Sequence, residues 1–359
     1  MTKSSGTKSS GTDPRTPSTG NAAADWRPTA SREMLQLRAA LLARTRNFFA
    51  GRGVLEVDTP MVVNAPVTDV HIQSASVTLE ASDPGAGAGS RRPYFLHTSP
   101  EYAMKRLLAA GAGDIYQICH VVRGFERGRL HNAEFTLVEW YRLGFSLDAL
   151  MGEVEALVRE LFGATGTARI GARVSYREAF IQALELDPFT APHAQLAEQA
   201  RRAGFDSAAA DGSSTDRAAT DRDELLELLM ATVVGPRLGQ GGLTFVHGYP
   251  ATQAALARLD PQDPRAAQRF ELYCDGVELA NGFHELASAR EQRSRFEHDI
   301  QERRRLGLPD ASLDERLLAA LEAGLPDCCG VALGFDRTLM LAAGAERIDA
   351  VLPFPTERA

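Results

Sequence analysis

Residues Val121–Arg142 read VVRGFERGRLHNAEFTLVEWYR, and this stretch decides the fold. Two runs rich in β-branched, aromatic and aliphatic residues, Ile115–Arg123 and Glu134–Arg142, flank a Gly-, Arg- and His-bearing loop, Gly124–Ala133. That pattern predicts an antiparallel hairpin with a strongly charged connection. Side chains alternate along a strand, so Phe135, Leu137, Glu139 and Tyr141 share one face. An aromatic ring, a carboxylate and a phenol among packing residues predict the wall of a polar pocket. Arg123, at the end of the first strand, can offer its planar fork to a phosphate or carboxylate at that wall. Taken alone, the same letters also describe an arginine-rich hairpin on a sheet edge.

A second block settles the choice. Gly330-Val-Ala-Leu-Gly334-Phe-Asp-Arg337-Thr-Leu-Met-Leu-Ala-Ala-Gly344 predicts a small-residue strand running into a helix with a glycine stop. The two blocks resemble motifs 2 and 3 of the class II aminoacyl-tRNA synthetases. Gly53-Val-Leu-Glu-Val-Asp-Thr-Pro60-Met resembles motif 1, a strand ending in the proline of the family's dimer interface. The resemblance implies a mixed α/β (α+β) fold, a central antiparallel sheet flanked by helices. It implies that Arg123 holds the ATP α-phosphate and the substrate carboxylate. Adenine is then sandwiched between Arg337 and Phe135 by cation–π and stacking contacts.

Substrate-side residues narrow the family. Ser99-Pro100-Glu101 predicts a helix start, with Ser as N-cap, Pro in the first turn, and Gly111 and Gly113 ending it. Glu278-Leu279-Ala-Asn281-Gly-Phe283-His-Glu285 predicts a strand whose residues Asn281, Phe283 and Glu285 share a face. These strings are similar to the lysine pocket of lysyl-tRNA synthetases, which implies substrate contacts from Ser99, Pro100, Glu101, Glu139, Tyr141, Asn281, Phe283 and Glu285. Several buried carboxylates and a tyrosine hydroxyl suit a substrate with two ammonium groups. The same resemblance implies that Glu271 and Glu278 bind Mg²⁺, a hard cation that takes carboxylate and phosphate oxygens. It places Gly124, Phe125, Glu126, Asn132, Phe135, Glu278, Leu279 and Gly334 around ATP.

The rest of the chain bounds the reading. Met1–Thr29 is Ser/Thr/Gly/Pro-rich and lacks the apolar content to fold alone, so residues 1–30 read as a disordered tail and 31–359 as the catalytic domain. An amphipathic helix over Ser31–Gly51, with Leu35, Leu42 and Phe49 among its apolar positions, precedes motif 1. This layout leaves no room for an anticodon-binding OB-fold and reads as a catalytic domain standing alone. A net charge of −8 argues against tRNA, whose binding surfaces are basic. Hydrophobic content of 44% and charged content of 24% fit a globular domain with a sizeable core, without a membrane span or signal peptide. Cys119, Cys274, Cys328 and Cys329 lack metal spacing and read as reduced thiols of a cytoplasmic protein. Ser207–Asp223 reads as a surface loop in a helical insertion, Asp83–Ser90 as a hairpin tip, and Glu285–Arg305 as a solvated helix face.

A group with this layout is the elongation factor P–(R)-β-lysine ligases, which resemble a lysyl-tRNA synthetase core without its anticodon domain. Thr98–Tyr102, Gly128–Asn132, Glu134–Arg142 and Gly276–Leu286 are similar to that group in local wording. Ala332 stands where lysyl-tRNA synthetases carry glycine and the ligases alanine. Its extra methyl would crowd an α-amino group and spare one on the β-carbon. The resemblance implies ATP-dependent activation of (R)-β-lysine as an acyl-adenylate, then transfer to a lysine ε-amine of elongation factor P, with Mg²⁺ and a homodimer. Glu101 or a phosphate oxygen would take the proton of the acceptor amine. The chain departs from many relatives at Arg123-Gly124-Phe125-Glu126, where they read Arg-Asn-Glu-Glu, and at Ala133, where they have proline. Two other readings are a truncated synthetase-like enzyme activating another amino acid and a non-catalytic regulatory paralogue. The second is disfavoured because Arg123, Glu278 and Arg337 are all present.

Overall fold

The structure, a computed structural model, describes residues 26–79, 93–124, 127–163, 171–205 and 222–359. The tail up to residue 25, the 83–90 tip, the 207–221 part of the predicted loop, and Phe125 and Glu126 lie outside the described residues.

Helix α1 (Arg32–Ala50) begins at Ser31, whose hydroxyl accepts the Met34 N–H. Its buried stripe is Leu41, Thr45, Phe48 and Phe49; Leu35 and Leu42, expected on the apolar face, are only half-buried. The stripe straddles the Leu41–Phe48 and Leu42–Phe49 steps, so Phe49 is fully buried while Leu42 packs at the margin of the core. Phe49 stacks on Tyr116 at 4.4 Å and meets Trp140 edge-on at 5.2 Å, which seats α1 on the sheet.

Strands β1 (Leu55–Glu56), β2 (Val62–Val63), β3 (Ser76–Val77) and β4 (Tyr94–Leu96) precede helix α2 (Glu101–Ala109). The hairpin follows as β5 (Ile115–Val122) and β6 (Glu134–Leu143), then α3 (Leu147–Gly163). Strand β7 (Gly171–Ser175) and helices α4 (Tyr176–Leu184), α5 (His193–Arg202) and α6 (Arg222–Leu229) form the insertion. Strands β8 (Leu243–Pro250), β9 (Ala266–Cys274) and β10 (Val277–His284), helices α7 (Ala289–Arg305) and α8 (Glu315–Gly324), strand β11 (Cys328–Gly334) and helix α9 (Phe335–Ala342) complete the chain.

The main sheet has the order β1-β5-β6-β11-β10-β9-β8-β7, antiparallel except for parallel edge pairs β1–β5 and β7–β8. A small sheet, β2-β4-β3, stands beside it. Val138 and Trp140 of β6, Val331 and Leu333 of β11, and Phe270 and Leu272 of β9 join α1, α3 and α9 in the principal core. Alternation therefore turns Glu139, Tyr141, Ala332 and Glu271 to the opposite face.

Motif 1 contributes only a two-residue strand, and Pro60 lies beyond it, exposed. The first turn of α2 also differs from expectation. Pro100 is the N-cap residue, and the Ser99 hydroxyl accepts the Glu101 N–H from outside the helix. Helix α7 is not wholly a solvated face. Arg303 is buried, and its guanidinium donates to the carbonyls of Pro309 and Asp69. Among the described residues no helix is long and apolar enough to cross a membrane.

Candidate active site

The open face of the sheet floors a cavity of about 1160 Å³, also lined by residues within 60–74, 223–235 and 294–316. Register builds the floor. Glu271, Asn281, Ala332, Glu139 and Gln117 lie side by side across β9, β10, β11, β6 and β5. The next row holds Arg269, Phe283, Gly330, Tyr141 and Ile115. Glu278 would face the core by parity with Asn281, Phe283 and Glu285. A bulge between Glu278 and Ala280 returns it to the cavity.

One end of the cavity is rich in acids. Ser99 Oγ donates to Glu139 Oε2 and Tyr141 Oη to Glu139 Oε1, each at 2.7 Å. Burial, reinforced by the charge of Glu101, pushes the Glu139 carboxyl up to about 7 against these two hydroxyl donors. Glu285 is raised to about 8, again by burial, against the pull of Lys105. Lys105 was not foreseen. Its Nζ lies 2.7 Å from Glu101 Oε1 and 2.6 Å from Glu285 Oε2, with the side chain 1% exposed. Burial alone would lower that ammonium, but the two carboxylates outweigh it and raise it. Glu285 Oε1 is buried with no hydrogen-bond partner among the described residues. Gly330 is obligatory here, because a Cβ would lie 2.3 Å from the Tyr141 ring and 2.4 Å from that oxygen. Pro100, Asn281 and Phe283 complete this end, and the Ala332 methyl stands between Asn281 and Glu139.

The other end carries the arginines. Arg123 lies 5.1 Å from the centroid of the Phe135 ring, and its Nε donates to the Thr98 carbonyl. Arg337 donates from Nε to Leu130 O, from Nη1 to Glu278 O at 3.0 Å, and meets His131 Nε2 at 2.7 Å. It thereby ties α9 to the hairpin loop and to β10. Leu279 and Gly334 line the same space. Asn132 does too, but both ends of its amide are engaged, by Glu134 O and by the Thr356 N–H. Gly124 does not line the cavity, and its N–H is held by Gln73 O at 2.8 Å.

Glu271 and Glu278 both face the cavity between these ends. Glu271 Oε2 accepts from Tyr249 and Tyr273, and Oε1 from Arg269, all at 2.6 Å. Enclosure by protein, and then the like charge of Glu271, raises the Glu278 carboxyl, although its side chain keeps 41% of its surface exposed. Mutual repulsion between carboxylates, with lone pairs left on Glu278 and Glu271 Oε1, fits a hard divalent cation. Among the described residues no group of three or more His, Cys, Asp or Glu forms a cation cage, so any cation would take its remaining ligands from elsewhere.

The sequence-predicted residues Arg123, Phe135, Glu139, Tyr141, Glu271, Glu278, Asn281, Phe283, Glu285, Ala332 and Arg337 thus meet in one cavity. Arg269, Tyr249, Tyr273, His131 and Lys105 were missed. The alternation Arg269-x-Glu271-x-Tyr273 and the i,i+4 pair Glu101/Lys105 were the available signals.

The family described as "tRNA synthetases class II (D, K and N)" matches residues 18–358. The elongation factor P–(R)-β-lysine ligase of Proteus mirabilis (strain HI4320) is 47% identical over 336 residues, covering 94% of this chain and 99% of the relative. The ligase of the same name from Vibrio vulnificus (strain YJ016) is 48% identical over 332 residues, 92% of this chain and 98% of that protein. On fold, site and sequence alike, the chain belongs to the class II aminoacyl-tRNA synthetase family, within the group of elongation factor P–(R)-β-lysine ligases.

Proposed function

We propose that this enzyme activates (R)-β-lysine with ATP and joins it to a lysine ε-amine of elongation factor P. The observation that carries this reading is one cavity with arginines at one end and an acidic lysine-type pocket at the other. In the first step the substrate carboxylate attacks the ATP α-phosphorus. The bond to the β-phosphate breaks, pyrophosphate leaves and an acyl-adenylate forms. Arg123 offsets charge developing on the α-phosphoryl oxygens, and Arg337 and Phe135 hold adenine. Glu139, Glu285 and Asn281 orient the two ammonium groups, which fixes the carboxylate for attack; such positioning is worth on the order of 7–11 kcal/mol. Mg²⁺ on Glu271 and Glu278, when bound, supplies positive charge to the phosphates.

In the second step the acceptor amine attacks the acyl carbon, AMP leaves, an amide forms and the amine loses a proton. An ordinary lysine amine has a pKa of ~10.4, so the neutral nucleophile is scarce near neutrality and its proton must be taken. The enzyme works without tRNA, in the cytoplasm, as a homodimer built around the Pro60 region. The net charge of −8 supports a protein rather than a nucleic-acid acceptor.

ATP–pyrophosphate exchange with (R)-β-lysine against L-α-lysine, followed by transfer to purified elongation factor P, tests the reading. Preference for β-lysine, and ATP-dependent labelling of elongation factor P with release of AMP, are expected. Exchange with α-lysine alone, or labelling of tRNA, would overturn it.

A further inference from the structure

Lys105 is a cation built into a pocket meant for cations. It sits on α2 behind the acidic end of the cavity, 1% exposed, within 2.7 Å of Glu101 and 2.6 Å of Glu285. Neither carboxylate has a second cation within ion-pair distance among the described residues. Surrounding side chains cannot replace it. The apolar neighbours of α2 are Leu317, Leu318 and Leu321 of α8, with Phe296 of α7. The titratable groups facing the cluster are Glu139 and Tyr141 of β6, Tyr102 of α2 and Cys328 of β11. None of these is a base that carries positive charge. A side chain placed so costs its own desolvation, and a Lys–Glu pair is weak evidence for stability as such.

The geometry points to a positioning role: we propose that Lys105 clamps Glu101 and Glu285 together, cancels one of the pocket's negative charges, and aims the free Glu285 Oε1 at a substrate ammonium. This rests on the lysine-type pocket proposed above. The charge count then closes. Glu101, Glu139 and Glu285 against Lys105 leave two negative charges, which match the two ammonium groups of a lysine-type substrate while Arg123 takes its carboxylate. Without Lys105, the Glu101–Glu285 pair would keep apart or share a proton in its place. That proton must leave before an ammonium can dock, so binding would acquire one proton of pH dependence beyond that of the wild-type pocket, which the permanent charge of Lys105 prevents.

The test is Lys105→Met beside Lys105→Arg, with KM for (R)-β-lysine and for ATP measured by pyrophosphate exchange from pH 6 to 9. For Lys105→Met we expect KM for β-lysine to rise at least tenfold at pH 7. It should recover as pH rises, one proton steeper than wild type, while KM for ATP stays within twofold. Lys105→Arg, which keeps the charge, should retain the wild-type pH slope. Unchanged β-lysine KM and slope in folded Lys105→Met would overturn the proposal, as would a parallel rise of both KM values, which marks general damage. Calorimetry on the wild type, in buffers of different ionisation enthalpy, needs no variant. Release of at most two protons on β-lysine binding is expected, from Glu139 and Glu285; a third would mean that Lys105 does not stand in for a further proton on the pair. Wild-type protein that binds no lysine-type substrate would sink the underlying reading, a separate failure.

Discussion

Between Asn281 and Glu139 stands the Ala332 methyl, the smallest side chain in its row of the cavity floor. Ala332→Gly removes it without altering the flanking hydrogen bonds. Discrimination by one methyl group is worth ~1–3 kcal/mol, so exchange with L-α-lysine should gain about 10- to 200-fold relative to (R)-β-lysine. The ratio of kcat/KM values checks this, and an unchanged ratio would remove Ala332 from the specificity argument. The same pocket fixes a pH dependence with opposite signs for stability and binding. Glu139 and Glu285 are raised to about 7 and about 8, so the folded protein holds protons that the unfolded chain gives up. That stabilisation is complete below the ordinary carboxylate range and fades as pH rises through 7 to 8, by at most about 1.4 kcal/mol per pH unit and group. Docking of ammonium groups needs the charged forms and strengthens over the same window. Thermal melts should therefore show the free protein losing stability from pH 5 to 8, while the shift produced by β-lysine grows.

At the scale of elements, α1 locks the hairpin to the motif 3 helix. Arg38 pairs with Asp336 of α9 and donates to Thr136 Oγ1 of β6 at 2.6 Å, while the Thr136 N–H donates to Asp336 at 2.7 Å. Asp336 is 2% exposed and adjoins Arg337, so the clamp also holds the arginine proposed to lie over adenine. Removing one partner of a buried pair strands the other charge. Arg38→Ala should cost about 3 kcal/mol or more in urea unfolding and weaken ATP in the exchange assay. A loss below about 1 kcal/mol would show the clamp to be solvated. The strands around this clamp were legible because their letters alternate. Phe135, Leu137, Glu139 and Tyr141 share a face on paper and in the fold. Three features were not legible. The bulge that returns Glu278 to the cavity is a mismatch between two strands and leaves no mark on either one. The Tyr249–Glu271–Tyr273 hydrogen bonds need the register of β8 on β9. Lys105 looks like any helix-surface lysine until α2 is laid against the sheet with that face inward.

At the scale of the whole molecule, an apolar stretch around Pro60 stands outside the core. Leu55, Met61 and Val62, on either side of Pro60, are 56%, 38% and 37% exposed, an apolar run at the free edge of the main sheet and on the small one. Strand β1 is only two residues long and parallel to β5, so its outer edge presents backbone groups beside exposed Leu55. Two copies related by a twofold axis would cover both the edge and the apolar run with the same surface, as an isologous interface requires. The small sheet then matters to catalysis, because β4 leads through Thr98 and Ser99 into the acidic end of the cavity. Leu55→Glu with Val62→Glu places two like charges per copy at the axis, where desolvation and repulsion oppose pairing. Light scattering at micromolar concentration should give a dimer for the wild type and a monomer for the double variant. Because the Thr98–Ser99 connection hangs from the small sheet, exchange should fall with the dimer, through KM for lysine before kcat. A wild type that is monomeric, or a monomeric variant with full exchange, would separate this surface from the active site.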